Sequence, residues 1–449
     1  MKTDLLLEHE PVSGGAGYVV RALLLLQGEA NSGEVRTPVN VGIVLDRSGS
    51  MAGLKLHYAK DAAIHLVRRL APEDVVSVVA YGSEVTTVAE PATGEAQRDL
   101  VDRIAVLQAG SATNLSGGWL RGRELVAGSR REGAVHRILL LTDGLANVGI
   151  TDPDALAGLC SRSRAEGITT TTIGFGADYD EHLLRAMADA GGGVMYYIEN
   201  PDQAPAIFAQ EIEGLLSLSA QNVTVEIRPA PAAKLTRVFH RYPREERDGT
   251  LRVDVGDLYA REPRRLLAEF LVRAEGGADA VADVAELVVT ADVLLPEGGV
   301  ERREIRAPIR ASLAGGAKTD PQVRKELLLQ EIARAREEAY QAQREGRLED
   351  AKVRLEEAAG TLATDQLAAA GLAGDAELAA EAEDLRQMAA VFDAGIVREA
   401  DAKYLYQKGY ATQTSRGWTS RTIQEDRWNP QRKEHGEESG EEGGTTGAN

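Results

Sequence analysis

Short apolar runs alternate with longer amphipathic runs between residues 38 and 217. Four of the apolar runs have the length of a buried strand: NVGIVLD, VVSVVAYG, HRILLLTDG and TTTTIGFG. The segments between them, LKLHYAKDAAIHLVRRL, NLSGGWLRGRELVAG, DPDALAGLCSRSRAEG and DEHLLRAMADAGG, have apolar residues at helical spacing, and most begin near Asp or Asn, which is typical of amphipathic helices. This alternation predicts an α/β fold for residues 38–217, with a doubly wound, mostly parallel sheet that helices cover on both faces.

Apolar runs on both sides of this block indicate further strands. LLLEHEP and GYVVRALLLLQG precede it, and NVTVEIRP, AKLTRVFHRY, LRVDVGDL, RRLLAEFLVRA and AVADVAELVVTADV follow it, separated by Gly or Pro. Two strands cannot bury a core alone. We therefore expect residues 1–37 and 218–315 to form one antiparallel β-sandwich, into which the α/β domain is inserted.

The composition changes to Ala, Leu, Glu, Arg and Gln over residues 316–395, with Pro321 at a helix start. The segment EEAYQAQREGRLEDAKVRLEEAAG resembles one tetratricopeptide-like helical hairpin that turns at Gly346. A solenoid needs about three such repeats, and the sequence contains one. We expect a small helical bundle here.

Two segments at the end of the chain differ from the rest. Residues 396–430 carry Tyr404, Tyr406, Tyr410, Trp418 and Trp428 among basic residues, in a chain of 449 residues with only three tryptophans. Tyr, Trp and Arg dominate binding hot spots, so this segment is either a docking segment or a strap packed on its own domains. Residues 431–449 are acidic, rich in Gly and almost without apolar side chains, which predicts disorder.

Bulk charge and composition exclude some function classes. A formal net charge of −19 disfavours binding to nucleic acid or anionic lipid, because phosphate neutralisation needs clustered Lys and Arg. No apolar run reaches the ~18 residues of a membrane-spanning helix, and the start of the chain has no signal-peptide pattern. The single cysteine, Cys160, cannot form an internal disulfide. We expect a cytoplasmic protein without membrane insertion.

The segment DRSGS follows directly on the apolar strand NVGIVL and places Asp46, Ser48 and Ser50 at alternate positions. In an extended segment alternate residues point the same way, so their oxygens can converge at the carboxyl edge of the sheet, where such folds bind ligands. Thr113, in the loop SATNLSGG, and Asp143, at the end of ILLLTD, reach the same edge. Oxygen ligands suit hard cations, which predicts a Mg²⁺ site, with Mn²⁺ or Ca²⁺ also possible. The alternative is that Asp46 and Ser48 only cap the following helix.

At these residues the sequence resembles the von Willebrand factor type A family. DRSGS, SATNLSGG, LLLTDGLANVG and TIGFGADYDEHLLRAMADAGGG occur in the family's order within residues 38–217. The resemblance implies a complete metal-ion-dependent adhesion site, with Asp46, Ser48 and Ser50 as the DxSxS element, Thr113 in the threonine loop and Asp143 as the second aspartate. The regions outside this block resemble family members that embed the domain in a β-sandwich, including bacterial stand-alone proteins and, more distantly, the inter-alpha-trypsin inhibitor heavy chains.

The resemblance also implies a function. A partner's Asp or Glu would complete the metal shell, so we expect a non-enzymatic interaction module. The partner would be a protein with an acidic residue, with a ring-forming ATPase or a complex under assembly as the classes seen in related bacterial proteins. The alternative is a scaffold that binds through its helical region and aromatic tail, while the metal only stabilises loops.

A metal-dependent hydrolase is a third and weaker interpretation. A serine nucleophile needs a base and an orienting acid, and His57, His65, His136, His182 and His240 lack a supporting motif. There is no GxSxG elbow and no phosphate-binding GxxxxGK[ST]. Asn147 and Asp178 lie in loops at the predicted edge, and we interpret them as turn residues rather than ligands.

Overall fold

A computed structural model describes residues 1–12, 17–29, 37–110, 112–143, 146–175, 180–198, 214, 217–260, 263–273, 281–295, 299–312, 317–395 and 397–415. The chain divides into two compact units, Met1–Leu328 and Leu329–Asn449. Trp418, Trp428 and the acidic tail at 431–449 lie outside the described residues. Among the helices that are described, none is long and apolar enough to cross a membrane.

The strands of the first unit are β1 (Lys2–Pro11), β2 (Gly17–Gln27), β3 (Val39–Asp46), β4 (Val75–Tyr81), β5 (Val85–Ala92), β6 (Val135–Thr142), β7 (Ile168–Phe175), β8 (Gly192–Ile198), β9 (Leu218–Pro229), β10 (Ala233–Val238), β11 (Arg244–Arg247), β12 (Thr250–Tyr259), β13 (Arg264–Arg273), β14 (Val281–Leu294) and β15 (Val300–Ser312). The α-helices within the described residues are α1 (Leu54–Arg69), α2 (Arg98–Ala105), α3 (Leu115–Gly128), α4 (Pro153–Ala165), α5 (Glu181–Ala190), α6 (Pro321–Arg344), α7 (Leu348–Thr361), α8 (Thr364–Ala369), α9 (Ala376–Asp393) and α10 (Glu399–Gln413).

The central sheet has six strands in the order β5-β4-β3-β6-β7-β8. All neighbours are parallel except β4 and β5, which are antiparallel. Every residue of β3 is buried, as expected for a strand covered on both faces. On one face Ile43 joins a hydrophobic cluster with α1 and α2. On the other face Gly122 of α3 lies against Val44, and Thr172 donates a hydrogen bond to the carbonyl of Leu184 in α5.

The strand order creates a switch point beside β3. The chain continues from β3 to β4 on one side, and later enters β6 on the other side of β3. At such a point the connections leave in opposite directions and open a crevice outside the carboxyl ends of the strands. The predicted site residues belong to this edge.

The strands that precede and follow the α/β sheet in the chain form two antiparallel sheets, with the orders β1-β2-β13-β10 and β11-β12-β9-β14-β15. Strand β2 pairs with β13 along its length, for example Ala22 with Ala268, so the N-terminal strands join a later strand as predicted. Buried side chains of both sheets, including Phe270 of β13 and Val225 of β9, form one hydrophobic cluster. The α/β domain is thus inserted between strands that share a core.

The antiparallel strands also meet the α/β sheet within the first unit. Arg137 of β6 is fully buried and donates hydrogen bonds to the carboxylate of Asp257 and, at 3.2 Å, to the hydroxyl of Tyr259, both on β12. The ring of Tyr259 belongs to the same hydrophobic cluster as α1 and α2. A buried ion pair with hydrogen-bonded neighbours therefore links the two parts of this unit.

The second unit is helical. The turn at Gly346, where φ is +75°, separates α6 from α7, and α7 packs against α9. Tyr404, Tyr406 and Tyr410 belong to α10, and their side chains are 3–4% exposed. The described part of the predicted aromatic segment is therefore a helix whose tyrosines are buried. This arrangement resembles the predicted strap more than a free docking surface.

Candidate metal centre

The two predicted aspartates lie at the same edge of the central sheet. Asp46 is the last residue of β3, and Asp143 directly follows β6. The register between these strands pairs Leu45 with Leu141, so both carboxylates leave the sheet at nearly the same level. Asp46 and Asp143 are 0% and 2% exposed, respectively.

The carboxylate of Asp46 is held in place by two donors. The backbone N–H of Ser48 donates to Oδ1 at 2.8 Å, and the Thr142 hydroxyl donates to Oδ2 at 2.6 Å. Burial raises the pKa of Asp46, although these hydrogen bonds oppose the rise, and the charge of Asp143 adds to it. An ionised carboxylate at this position is costly by itself, and a nearby cation would relieve that cost.

A chain of hydrogen bonds connects the two serines with the second aspartate. The hydroxyl oxygens of Ser48 and Ser50 are 3.1 Å apart, and the Ser50 hydroxyl donates to Asp143 Oδ1 at 2.8 Å. Ser48 is buried, whereas Ser50 is exposed. A short 3₁₀ turn, Gly49–Met51, bends the backbone here, and the Ser50 hydroxyl still reaches the residue that follows β6.

Thr113 lies in the neighbouring loop and is 4% exposed. Its backbone N–H donates to Asn147 Oδ1 at 2.9 Å, and its carbonyl accepts hydrogen bonds from the N–H groups of Asn147 and Val148, both at 3.2 Å. Asn114 then caps α3 by accepting a hydrogen bond from the N–H of Gly117 at 3.0 Å. These hydrogen bonds at Thr113 and Asn114 fix the position of the loop.

The structure therefore brings Asp46, Ser48, Ser50 and Asp143 into one hydrogen-bonded group, with Thr113 in the loop beside it. Asn147 contacts Thr113 through both its side chain and its backbone N–H. Asp178 lies outside the described residues.

Two residues at the site were missed by the sequence analysis. Thr142 follows the apolar run 138–141 and directly precedes Asp143, and a hydroxyl at the last strand position was a signal for a role at the edge. Lys55 donates to Asp143 Oδ2 at 2.7 Å. Its partner is 88 residues away, so no local pattern could have indicated this contact.

The donor set fits a hard divalent cation. It consists of carboxylate and hydroxyl oxygens, the ligands that Mg²⁺ and Ca²⁺ prefer. Within the described ranges no three side chains of His, Cys, Asp or Glu come together as a metal site. Only two carboxylates meet here, and the serine hydroxyls supply the remaining side-chain oxygens.

Three of the five candidate histidines have partners other than the two serines. His57 pairs with Asp61 at 3.4 Å on the exposed side of α1, and His136 contacts the Asn40 amide at 3.2 Å. His240 pairs with Glu326 at 3.0 Å. Burial raises the pKa of the Cys160 thiol to about 12, so this cysteine is not a thiolate nucleophile at neutral pH.

Part of the chain matches a known domain family. Residues 40–210 match the model of the von Willebrand factor type A domain. An uncharacterized protein of Synechocystis is 31% identical over 236 residues, which are 52% of this chain and 56% of the relative. Human inter-alpha-trypsin inhibitor heavy chain H4 is 30% identical over 217 residues, 45% of this chain and 23% of the relative. The chain thus spans about half or less of the length of these relatives.

Solved structures share the architecture of most of the chain. A von Willebrand factor type A protein from Catenulispora acidiphila superposes with a TM-score of 0.69 at 20% identity, covering 91% of this chain and 96% of that one. The ArnB paralog VWA2 from Sulfolobus acidocaldarius gives 0.53 at 17% identity, covering 94% and 97%. At these identities the likeness concerns the fold. Together with the family match, it shows that residues 40–210 of this chain form a von Willebrand factor type A domain.

Proposed function

We propose that this protein is a non-enzymatic interaction module that binds a partner protein through a divalent cation at the Asp46–Asp143 edge. Mg²⁺ is the proposed cation, with Mn²⁺ or Ca²⁺ as substitutes. Ser48, Ser50 and Thr113 would contribute hydroxyl oxygens, and Asp46 and Asp143 carboxylates. When bound, the cation would supply an open coordination position for an Asp or Glu of the partner.

The spacing of the oxygens carries this proposal. Magnesium binds oxygens at about 2.0–2.1 Å in octahedral geometry, so adjacent ligands lie about 2.9 Å apart. The Ser48–Ser50 and Ser50–Asp143 oxygen separations of 3.1 and 2.8 Å are close to that value. The fold supports the same conclusion, because these residues lie at a switch point of the sheet.

The hydrogen bonds around the two serines support binding over catalysis. In the part of the chain that the structure describes, the two serine hydroxyls contact each other and the Ser50 hydroxyl donates to Asp143, while the Ser48 N–H donates to Asp46. A carboxylate already held by Thr142 or Lys55 is a poor general base for Ser48 or Ser50. The metal is proposed as a bridge, and not as a Lewis acid for hydrolysis.

The cellular setting is part of the proposal. The single buried cysteine and the acidic surface suit a cytoplasmic protein. Membership of the family suggests a partner with an acidic residue, such as a ring-forming ATPase or a complex under assembly.

Affinity capture from a source-cell lysate tests the function. With Mg²⁺ the wild-type protein should retain a partner that EDTA releases. Ser50→Ala should lose that partner, because an exposed ligand is removed without disturbing the core. Ser161→Ala, an exposed serine of α4, is the matched control and should behave as wild type.

Calorimetry with Mg²⁺ complements the capture. Asp46→Ala should abolish the binding heat, and unchanged affinity in this variant would reject the site assignment. The scaffold alternative predicts the same retained partners in every lane. Deleting residues 416–449 tests it, because this cut leaves the buried helix α10 intact, whereas a cut at 398 would remove it.

A further inference from the structure

Lys55 forms the one ion pair to either site aspartate that the described residues contain. Its ammonium donates to Asp143 Oδ2 at 2.7 Å, while Oδ1 accepts from the Ser50 hydroxyl at 2.8 Å. The Lys55 side chain is 26% exposed, and that of Asp143 is fully buried. The ammonium therefore sits at the mouth of the site, between the carboxylate and solvent.

The position of Lys55 is not explained by the stability of its helix. It is the second residue of α1, which starts after Gly53 without a side-chain cap. A positive charge in the first turn opposes the helix dipole. The contact that compensates for this position is the one with Asp143, which indicates that the charge is needed at the site rather than in the helix.

The charge balance shows what this ammonium would do. A divalent cation between Asp46 and Asp143 is neutralised by the two carboxylates, so a partner carboxylate would meet a site without net charge. Lys55 adds one positive charge within 2.7 Å of one of these carboxylates. Close, partly buried charges interact strongly, so this excess both repels an incoming metal ion and attracts an incoming carboxylate.

We propose that Lys55 weakens the affinity of the site for the cation and strengthens the affinity of the metal-loaded site for a partner carboxylate. This inference rests on the proposed function. It assigns Lys55 as a positioning and specificity-determining residue rather than a metal ligand. A purely structural pair with Asp143 would change stability but would not move the two affinities in opposite directions.

The test compares four full-length proteins: wild type, Lys55→Gln, Lys55→Arg and Lys60→Gln. Lys60 is the matched control because it lies on the same helix and carries the same charge, while its ammonium donates to the carbonyls of Ala105 and Leu107. Cation affinity is measured by calorimetry with Mg²⁺. The affinity for a carboxylate is measured on the Mn²⁺-loaded proteins from the water-proton relaxation rate. This rate falls when the peptide acetyl-Gly-Asp-Gly-amide displaces metal-bound water. The Asn version of the peptide reports background.

Lys55→Gln should bind Mg²⁺ about tenfold more tightly than wild type and the Asp peptide about tenfold more weakly. Lys55→Arg should stay near wild type in both measurements, and so should Lys60→Gln. Unchanged affinities in Lys55→Gln, or two affinities that change in the same direction, would overturn the inference while leaving the proposed function intact. A wild-type protein that binds no Mg²⁺ would instead refute the proposed function itself, and with it this inference.

Discussion

Glycine residues determine how closely α3 approaches the central sheet. A Cβ atom at Gly122 would lie 2.3 Å from a methyl group of Val44 on β3, and one at Gly118 would lie 2.4 Å from the ring of Tyr81 on β4. Val44 is β-branched and buried, so it has little freedom to move away. Close packing of α3 also fixes the Thr113 loop, which leads into this helix.

Gly122→Ala should therefore destabilise the protein although alanine is the better helix former. Overpacking of a core typically costs about 1–3 kcal/mol, which exceeds the ~1 kcal/mol gained by replacing glycine in a helix. Gly128→Ala, on the same helix with no atom within 4 Å of the added methyl, should be neutral or slightly stabilising. Denaturant unfolding of both variants measures the difference. Equal stability would contradict the close approach.

At the scale of elements, a buried ionic cluster within the second unit joins α6, α9 and α10. Arg336 of α6 is fully buried and donates to the carboxylates of Glu381 and, at 2.6 Å, Asp384 on α9. Lys408 of α10 donates to Asp384 at 2.9 Å, and the Tyr404 hydroxyl also donates to this carboxylate. Burial alone would raise the pKa of Asp384, but the positive charges of Arg336 and Lys408 outweigh it and hold that pKa well below its usual range.

Arg336→Met should destabilise the helical unit by roughly 3–5 kcal/mol, because it leaves two buried carboxylates with a single cation. A lowered carboxyl pKa contributes stability above the unfolded value of about 4, and this contribution is lost as pH falls toward the folded pKa. Hydrogen exchange in α9 and α10, corrected for its intrinsic pH dependence, should therefore accelerate in wild type below about pH 4. The acid dependence should be weaker in Arg336→Met. An identical acid response in the two proteins would contradict the charge argument.

At the scale of the whole molecule, the α/β domain is not independent of the strands that precede and follow it. Arg137 and Asp257 form a buried pair, with the Arg137 side chain 0% and the Asp257 side chain 2% exposed. Arg164 and Asp254 connect the same two parts of the first unit at 3.4 Å, but the Asp254 side chain is 32% exposed. Solvent screens the Arg164–Asp254 pair, so the buried Arg137–Asp257 pair should contribute more to the free energy of unfolding.

Asp257→Ala should lower the free energy of unfolding by roughly 3–5 kcal/mol, because Arg137 would keep a buried charge without its carboxylate. Asp254→Ala, three positions earlier on the same strand, should cost at most about 1 kcal/mol. Thermal and denaturant unfolding compare the two variants. If both changes proved equally mild, the buried pair would not hold the domain to its neighbouring strands.

Local patterns in the sequence predicted strands β3, β4, β6 and β7 and helices α1, α3, α4 and α5 of the von Willebrand factor type A domain, but not β5, β8 or α2. Buried parallel strands are almost continuously apolar, and the helices between them carry a 3.6-residue period, so both are readable within a short window. The strand ends correctly predicted that Asp46 and Asp143 share one edge of the sheet. Ser48 and Ser50 also meet there, but through a 3₁₀ turn and not through the extended alternation that the sequence analysis expected. The metal ion itself remains a proposal.

Strands without that local signal became clear only in the tertiary structure. Strand β5 contains Pro91, and most of its residues are partly or fully exposed. Strand β15 has the sequence VERREIRAPIRAS, and most of its charged residues are exposed. Both lie at the edge of a sheet, where charges and proline are tolerated and the apolar pattern is weak.

Contacts between distant segments were likewise decided by the tertiary structure alone. The pairing of β2 with β13, the burial of Arg137 against Asp257 and the reach of Lys55 to Asp143 each join residues far apart in the chain. Sequence periodicity specifies which face of an element is buried. Which partner covers that face depends on how the elements pack, and so the charge balance at the candidate site emerged only from the folded chain.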